Sequence, residues 1–164
     1  MCNRHLCGTN KPDGSIHRMN REILFKAKRK DNGEWVEGCP MIDYVSGQYF
    51  IHQNGNSVNE SPKIGEEGCL RFLAFEIDPN TLCQYTGLTD KNGKKIWEND
   101  IVSAWSTGSH AIGKVTRRVD GLYFMYPAYQ NNELWVLCSN QEGKTTVEVI
   151  GNIFDNEELM EVEQ

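Results

Sequence analysis

Short runs of alternating apolar and polar residues, separated by glycine-containing turns, make up most of this sequence. Residues 23–28 place apolar side chains and lysines at alternate positions. A period of two residues is typical of a β-strand with one face towards a core. The Asn32-Gly33 pair that follows is a strong hairpin signal, because both residues tolerate the positive φ angles of a tight turn. We therefore predict a β-hairpin whose second strand starts at Trp35.

The same pattern of short strands and turns continues to residue 153. Residues 42–51 contain a Ser-Gly turn between two runs of aromatic and β-branched residues. Residues 69–78 form another strand-like run, which ends at Asp78-Pro79 because proline cannot donate to a strand ladder. Further strands are predicted at 101–105, 113–119, 122–126, 134–139 and 145–153. Regular spacing of this kind indicates a mainly β protein with antiparallel strands in a barrel or a sandwich.

Two segments break the strand pattern. Residues 53–68 are polar and rich in glycine, asparagine and serine, so we predict a mobile loop there. Near the C-terminus, Asp155 or Asn156 can cap a short helix with an acidic first turn, which the helix dipole favours. We predict a short C-terminal helix that docks through Leu159 and Met160.

Length and composition indicate one globular domain. The chain of 164 residues contains no apolar run close to the ~20 residues that a membrane-spanning helix needs, and its first residues do not resemble a secretory signal. Its six cysteines are scattered, so we interpret them as reduced thiols, with Cys69 and Cys138 as small buried hydrophobes in strand-like runs. We therefore expect a cytoplasmic protein with no membrane segment.

The charge distribution weakens the case for general nucleic-acid binding. The formal net charge is −6, and the C-terminal end of the chain is especially acidic. Non-specific binding to nucleic acid depends on neutralising phosphates with a basic face. Such binding would therefore need a local basic patch.

The stretch from residue 82 to residue 102, LCQYTGLTDKNGKKIWENDIV, carries the densest pattern in the chain. Asn92-Gly93 predicts a second turn, and Asp100 is predicted to accept hydrogen bonds from backbone amides before the next strand. A calcium loop is the alternative for this acidic and amide-rich stretch, but Lys94 occupies a position where an oxygen ligand would be required. We interpret the segment as a structural turn between strands.

Three stretches together carry a resemblance to a known family. They are MNREILFKAKRKDNGEWVEG at 19–38, QYTGLTDKNGKKIWENDIV at 84–102 and VEVIGNIFDNEELM at 147–160. In this order they resemble the YopX family of phage and prophage proteins. The resemblance implies a mostly β protein with a small SH3-like barrel in the C-terminal half, at about 82–154. It implies no established enzymatic activity, so no catalytic residues are carried over.

The resemblance also sets expectations at two particular places. Family members start close to the position of Met19, so residues 1–18 are expected to be a disordered extension and residues 19–164 the YopX-like β domain. Members carry glycine at the position of Asn99. Because asparagine tolerates a left-handed backbone, we expect this chain to keep the same turn.

Candidate chemistry is sparse. Cys2, His5, Cys7 and His17 could in principle bind zinc, but their spacing fits no compact zinc motif. The other two histidines, at positions 52 and 110, lie in stretches that resemble exposed turns rather than sites for a catalytic base. No cysteine lies in a setting that would lower its pKa. The sequence therefore predicts no metal, no cofactor and no catalytic site.

Binding is the function class that the sequence favours. Small antiparallel β domains expose faces on which aromatic and basic side chains can contact a ligand. The candidate binding surface consists of Tyr85, Lys91, Lys94, Lys95, Trp97, Lys114, Arg117 and Arg118. The alternative is that the aromatic residues are core and the charges protect sheet edges.

These observations lead to a ranked set of hypotheses about partners. We expect a non-enzymatic phage or prophage protein that binds another protein of the phage or of the bacterial host. Nucleic acid is the alternative ligand. A second copy of the chain is a further candidate, because an unpaired sheet edge could be covered by another molecule.

Overall fold

Eleven strands in two antiparallel sheets account for most of the described chain. A computed structural model describes residues 22–54, 72–106, 108–130 and 133–160. Every strand pair in both sheets is antiparallel. The prediction of a mainly β protein with antiparallel strands is confirmed. No helix among the described residues is long and apolar enough to cross a membrane.

The first sheet contains the N-terminal strands and has the order β4-β3-β2-β1-β5-β6. Its strands are β1 Phe25–Lys28, β2 Trp35–Asp43, β3 Gln48–Asn54, β4 Phe72–Glu76, β5 Cys83–Thr89 and β6 Lys95–Trp97. One face buries a cluster formed by Ala27, Val36, Ile51 and Ile77. Ala27 and Val36 are paired in register across β1 and β2, so both side chains lie on the same face of the sheet.

The second sheet is formed by the C-terminal strands in the order β10-β9-β8-β7-β11. Its strands are β7 Asp100–Ser106, β8 Ser109–Arg117, β9 Tyr123–Gln130, β10 Glu133–Val136 and β11 Glu148–Asn152. Its buried face holds the largest core cluster, which includes Val102, Val115, Met125 and Trp135. Ile96 of β6 also belongs to this cluster, so the first sheet contributes to the core of the second.

Two predicted features of the C-terminal half are not found. Among the described residues, β10 pairs only with β9 and β11 only with β7, so hydrogen bonds do not close the second sheet into a barrel. The predicted C-terminal helix is wrong, because only a 3-10 turn forms at Glu157–Met160. The backbone amide of Asn156 instead bonds back to the carbonyl of Asn152, and a segment this short cannot offset the cost of helix nucleation.

The turns form where the asparagine–glycine pairs predict them, but with a different geometry. Gly33 and Gly93 have φ angles of 73° and 87°, whereas Asn32 and Asn92 do not adopt positive φ. The amide of Gly93 donates to the carbonyl of Asp90 at 3.0 Å. Only the glycine takes the left-handed conformation, as in longer hairpin loops. Asn99 has a φ of 66°, which confirms the expectation that asparagine keeps the turn at this position.

Other predicted positions shift or lie outside the described residues. The extension at 1–18 and most of the loop at 53–68 lie outside them, while the first two residues of that loop belong to β3. Cys69 also lies outside the described residues. Cys138 is exposed, not buried, because β10 ends at Val136 and Leu137 takes the inward position.

A buried ion pair joins the two sheets. Lys26 on β1 of the first sheet donates from Nζ to Oδ1 of Asp100 on β7 of the second sheet, at 2.8 Å. Asp100 also accepts from Asn152 Nδ2 at 2.9 Å and from the backbone amide of Trp97 at 2.9 Å. The side chain of Asp100 is only 2% exposed. One carboxylate therefore fixes β1, the turn before β7 and the end of β11 together.

A second buried carboxylate fixes the neighbouring turn to β11. Asp90 Oδ1 accepts from the backbone amides of Asn92 and Lys94, each at 2.8 Å, and Oδ2 accepts from that of Val149 at 3.2 Å. Burial by itself would raise the pKa of Asp90, but the amides of Lys94, Val149 and Asn92 outweigh it and hold the pKa below its ordinary value.

Replacing Asp100 tests whether the ion pair joins the sheets. Asp100→Asn should lower the free energy of unfolding by about 3 kcal/mol, because it removes the carboxylate that pairs with the nearly buried Lys26 ammonium. Urea unfolding measures this change. Asp120→Asn is the matched control, since Asp120 pairs with Arg118 on the surface, and it should leave the unfolding midpoint almost unchanged. Equal effects of the two variants would contradict a joining role for Asp100.

The lowered pKa of Asp90 predicts a specific loss of stability in acid. The carboxylate stabilises the fold fully above its ordinary pKa of 3.8, and this contribution is lost as pH falls through the lower folded-state pKa. Asp90→Asn should cost roughly 1–3 kcal/mol at neutral pH, because Asn Nδ2 cannot accept from the Val149 amide. The difference in the free energy of unfolding between wild type and variant should become smaller below pH 3.8, and unfolding curves measured at several pH values test this. A gap that stays constant into strong acid would contradict this assignment.

Candidate functional site

A groove of about 470 Å³ lies where the two sheets meet. Its lining comes from β1, β2, β6 with the preceding Lys94, the start of β7 at Asp100, and the segment from β11 to residue 156. Trp35 and Trp97 form aromatic walls, and the ammonium of Lys26 lies between them. We call this feature the inter-sheet groove. Its size falls within the range of about 300–1,000 Å³ that is common for ligand sites.

Lysine side chains lie over the aromatic rings of the groove. Lys26 Nζ lies 4.8 Å from the ring centroid of Trp35 and 5.3 Å from that of Trp97. Lys95 Nζ lies 5.8 Å from the Trp97 centroid and 5.4 Å from that of Tyr85. Positive charge over an aromatic face is favourable, particularly where water is partly excluded. The Trp97 ring is therefore within cation–π range of two ammonium groups.

The C-terminal segment closes one end of the groove through Asp155. The carboxylate of Asp155 accepts from the indole Nε1 of Trp35 at 2.7 Å and pairs with Lys28 Nζ at 2.5 Å. Partial burial would raise the pKa of Asp155, but the bonds from Lys28 and Trp35 prevail and lower it. Trp35 also packs its ring against that of Phe154, with centroids 6.1 Å apart. The orientation of the Trp35 wall is thus set by residues far away in the sequence.

The structure brings together only part of the predicted binding surface. Lys94, Lys95 and Trp97 line the inter-sheet groove, whereas Lys91 does not line it and pairs with Glu148 at 2.6 Å. Tyr85 and Trp97 are 7% and 4% exposed, so neither offers the open ring face that stacking needs. Burial also raises the pKa of Tyr85.

The remaining predicted residues belong to a different part of the molecule. Lys114 and Arg117 lie on β8 of the second sheet, and Arg118 follows it and pairs with Asp120. Lys114 is paired in register with Ile101 and Tyr126, on a strand that does not contribute to the groove. The eight predicted residues therefore do not form one surface.

Sequence reasoning missed three residues that define the groove. Lys26, Trp35 and Asp155 interact with residues 74 and 120 positions away in the chain. The alternation of residues 23–28 does place Lys26 opposite the core face, which is the only local signal for its position. The face that the pattern assigns to solvent is covered by the second sheet.

Two exposed features lie outside the groove. The tip of the β2–β3 hairpin presents Tyr44 and Val45, which are 89% and 98% exposed. On the second sheet, Trp105 and Tyr126 are 69% and 53% exposed, and the Trp105 ring lies 4.5 Å from that of His110.

The histidines do not occupy the positions expected for them. His110 lies on β8 in register with Trp105, and its Nε2 is 2.9 Å from Ser103 Oγ. His52 lies within β3 between Cys39 and Ala74. Both are strand residues because the strands extend further into the polar stretches than their apolar pattern indicates.

The structure also bears on the reactivity of one buried cysteine and on metal binding by the described residues. Burial raises the pKa of Cys83 to about 11, so this thiol is protonated at neutral pH. Within the described parts of the chain, no group of three or more His, Cys, Asp or Glu residues is arranged to hold a metal ion. The cluster at Cys2, His5, Cys7 and His17 lies outside them.

Comparison with known proteins identifies a family and finds similar solved structures. A crystal structure of protein EF1440 from Enterococcus faecalis is similar over 85% of this chain and 99% of that chain, with 21% sequence identity and a TM-score of 0.49. No curated protein sequence matches significantly. The family model described as YopX protein matches residues 24–161, which is most of the chain. The chain therefore belongs to the YopX family.

Proposed function

We propose that this protein is a non-enzymatic binding protein that contacts a partner protein through the tip of its β2–β3 hairpin. The hairpin tip comprises Ile42, Tyr44 and Val45, which are 38%, 89% and 98% exposed. Exposure of adjacent large apolar side chains on a protruding turn is the observation that carries the proposal. Contiguous apolar groups in water often mark interaction sites, and tyrosine is enriched among the residues that dominate binding energy.

The hairpin tip is held in one conformation by its own hydrogen bonds. Asp43 accepts from the amide of Val45 at 2.9 Å and from Ser46 Oγ at 2.7 Å. The amide of Gly47 donates to the carbonyl of Asp43 at 2.7 Å. The bond from Ser46 Oγ is the main reason why the pKa of Asp43 is lowered. An ordered tip loses less conformational entropy on binding, which supports a role in recognition.

Family membership suggests where the partner is found. The resemblance to phage and prophage proteins supports a partner from the phage or the bacterial host, in the host cytoplasm. The strand at the outer edge of the first sheet, β4, pairs only with β3 among the described strands, which supports a second copy as a further candidate partner. We also retain the SH3-like barrel over about 82–154 as a proposal, supported by the contribution of β6 to the core of the second sheet.

Substitution of the hairpin tip tests the proposed function. Tyr44→Ser with Val45→Ser should reduce recovery of the partner at least tenfold, because loss of a binding hot spot costs about 2 kcal/mol or more. Affinity capture from host cells in which the phage genes are induced, followed by mass spectrometry, measures recovery. Val119→Ser with Leu122→Ser is the matched control, since both residues are exposed in the turn between β8 and β9. The proposal fails if both variants retain the same proteins as wild type, or if only the control loses them.

Nucleic-acid binding remains a second candidate because of the exposed rings on the second sheet. Trp105, His110 and Tyr126 belong to strands β7, β8 and β9, and the Trp105 ring packs against that of His110. Lys114 is in register with Tyr126, and neither Lys114 nor Arg117 forms an ion pair within the described residues. Exposed aromatic rings beside cations on a β-sheet are suited to stacking single-stranded bases.

Anisotropy measurements with single-stranded DNA and RNA decide this alternative. If it holds, Trp105→Ala should weaken binding by about 1–3 kcal/mol, because each stacked base contributes about that much. Tyr44→Ala should have no effect, since Tyr44 lies on the β2–β3 hairpin tip of the first sheet. Signals that stay flat at low salt and high protein concentration would exclude the alternative.

A further inference from the structure

The inter-sheet groove has unused hydrogen-bond donors but few unused acceptors. From this imbalance we infer that the groove binds the carboxylate side chain of an acidic segment on a partner protein. The inference rests on the proposed function in one respect, namely that the partner is a protein. It concerns a site separate from the hairpin tip.

Lys26 supplies the deepest donors. Its ammonium carries three hydrogens, and Asp100 Oδ1 is the acceptor bonded to it among the described residues. The side chain is only 13% exposed, and it lines the groove. The rings of Trp35 and Trp97 lie near the same ammonium but accept no conventional hydrogen bond. A ligand oxygen entering between the two rings would meet an available N–H.

Two of the three carboxylates that line the groove, Asp100 and Asp155, are already engaged. Asp100 accepts three hydrogen bonds from Lys26, Asn152 and the Trp97 amide. Asp155 binds Lys28 and the Trp35 indole. These anions are therefore committed to internal donors, and they leave little capacity for a cationic or donor-rich ligand. Around Asp100 and Asp155 the chemistry left for a ligand is that of an acceptor, whereas the Glu37 carboxylate beside Lys95 keeps unused acceptor capacity.

Two lysines at the mouth of the groove extend this donor capacity. Lys94 is exposed and forms no ion pair within the described part of the chain. Lys95 Nζ lies 3.4 Å from Glu37 Oε2, which is longer than the 2.7–2.9 Å that is typical of a charge-assisted hydrogen bond. An incoming carboxylate can therefore bind both lysines without first breaking a strong pair.

The walls of the groove suit a carboxylate carried on an apolar stem. Trp35 provides ring surface for methylene groups, and Val149 adds an aliphatic side chain. A volume of about 470 Å³ exceeds that of a bare carboxylate and accommodates a whole glutamate side chain with neighbouring backbone. The combined chemistry of cations and apolar walls favours a glutamate side chain on a polypeptide.

Fluorine NMR of the four tryptophans provides an internal control for this site. Trp35 and Trp97 line the groove, while Trp105 lies on the second sheet and Trp135 in its core. Full-length protein labelled with 5-fluorotryptophan is titrated with a blocked oligoglutamate peptide. The resonances of Trp35 and Trp97 should shift, and those of Trp105 and Trp135 should stay in place. Shifts confined to Trp105 or Trp135, or no shifts, would overturn the inference.

Two further ligands test whether the groove requires a carboxylate and whether that carboxylate must be part of a peptide. A blocked oligoglutamine peptide of the same length should bind at least tenfold more weakly, because it lacks the carboxylates. Glutarate represents a free small carboxylate and should also bind more weakly than oligoglutamate. Oligoglutamine that binds equally well overturns the requirement for a carboxylate. Glutarate that binds as tightly as the peptide overturns the assignment to a protein segment.

Variants at the groove mouth test the cations without disturbing the ion pair between the sheets. Lys94→Gln with Lys95→Gln should weaken oligoglutamate binding roughly tenfold, as expected from losing a charge-assisted contact. Lys91→Gln is the matched control, since Lys91 is on the same turn but pairs with Glu148 and does not line the groove. Unchanged affinity in the double variant, or an equal loss in the control, overturns the inference.

The same titration separates this inference from the proposed function. The double serine variant at Tyr44 and Val45 should bind oligoglutamate as wild type does, because the hairpin tip does not line the groove. Persistent oligoglutamate binding when no partner is captured from cells supports the groove and rejects the hairpin proposal. Partner capture without oligoglutamate binding supports the proposed function and rejects the groove.

Discussion

The ion pair between Lys26 and Asp100 is the contact on which the arrangement of the two sheets depends. It links β1 to β7 through groups that are almost completely removed from solvent. Burying two charges is costly unless their remaining hydrogen-bond capacity is used, and Asp100 uses its capacity on Asn152 and Trp97. The pair therefore links β1 and β7 at a fixed contact, alongside the shared core at Ile96 and the bond from Val149 to Asp90. The left-handed turn at Asn99 places Asp100 where it can satisfy all three donors.

The inter-sheet groove is a consequence of this joint. Asp100 holds the backbone of Trp97, so the carboxylate that joins the sheets also fixes one aromatic wall. The opposite wall, Trp35, is held by Asp155 from the C-terminal segment. Because Asp100 and Asp155 are bonded to internal donors, the ammonium hydrogens of Lys26 that Asp100 does not use face the space between the walls. The contacts that hold the two sheets together thus determine which hydrogen-bonding groups of the groove remain unused.

The two proposed interaction sites share one strand. β2 begins with Trp35 and Glu37 at the groove and ends beside the hairpin tip at Tyr44. Seven residues of extended chain at about 3.3 Å each separate the two sites by roughly 20 Å. A partner protein of ordinary size can contact both sites at once, since standard interfaces bury about 800 Å² on each side. The fold is therefore compatible with a single partner that contacts both the hairpin tip and the groove.

The sequence by itself determined the β class, the approximate positions of the strands, the glycine turns and the family. These features depend on neighbouring residues, since a period of two residues and the backbone freedom of glycine are local properties. Even there, strand ends shifted, and the C-terminal helix was wrong because local capping signals could not offset the shortness of the segment. Only the tertiary structure decided that Tyr85 and Trp97 are buried, that Cys138 is exposed, and that Lys26 meets Asp100. The contact between Lys26 and Asp100 spans 74 residues, and which side chains are buried depends on how two complete sheets pack, which no local pattern specifies.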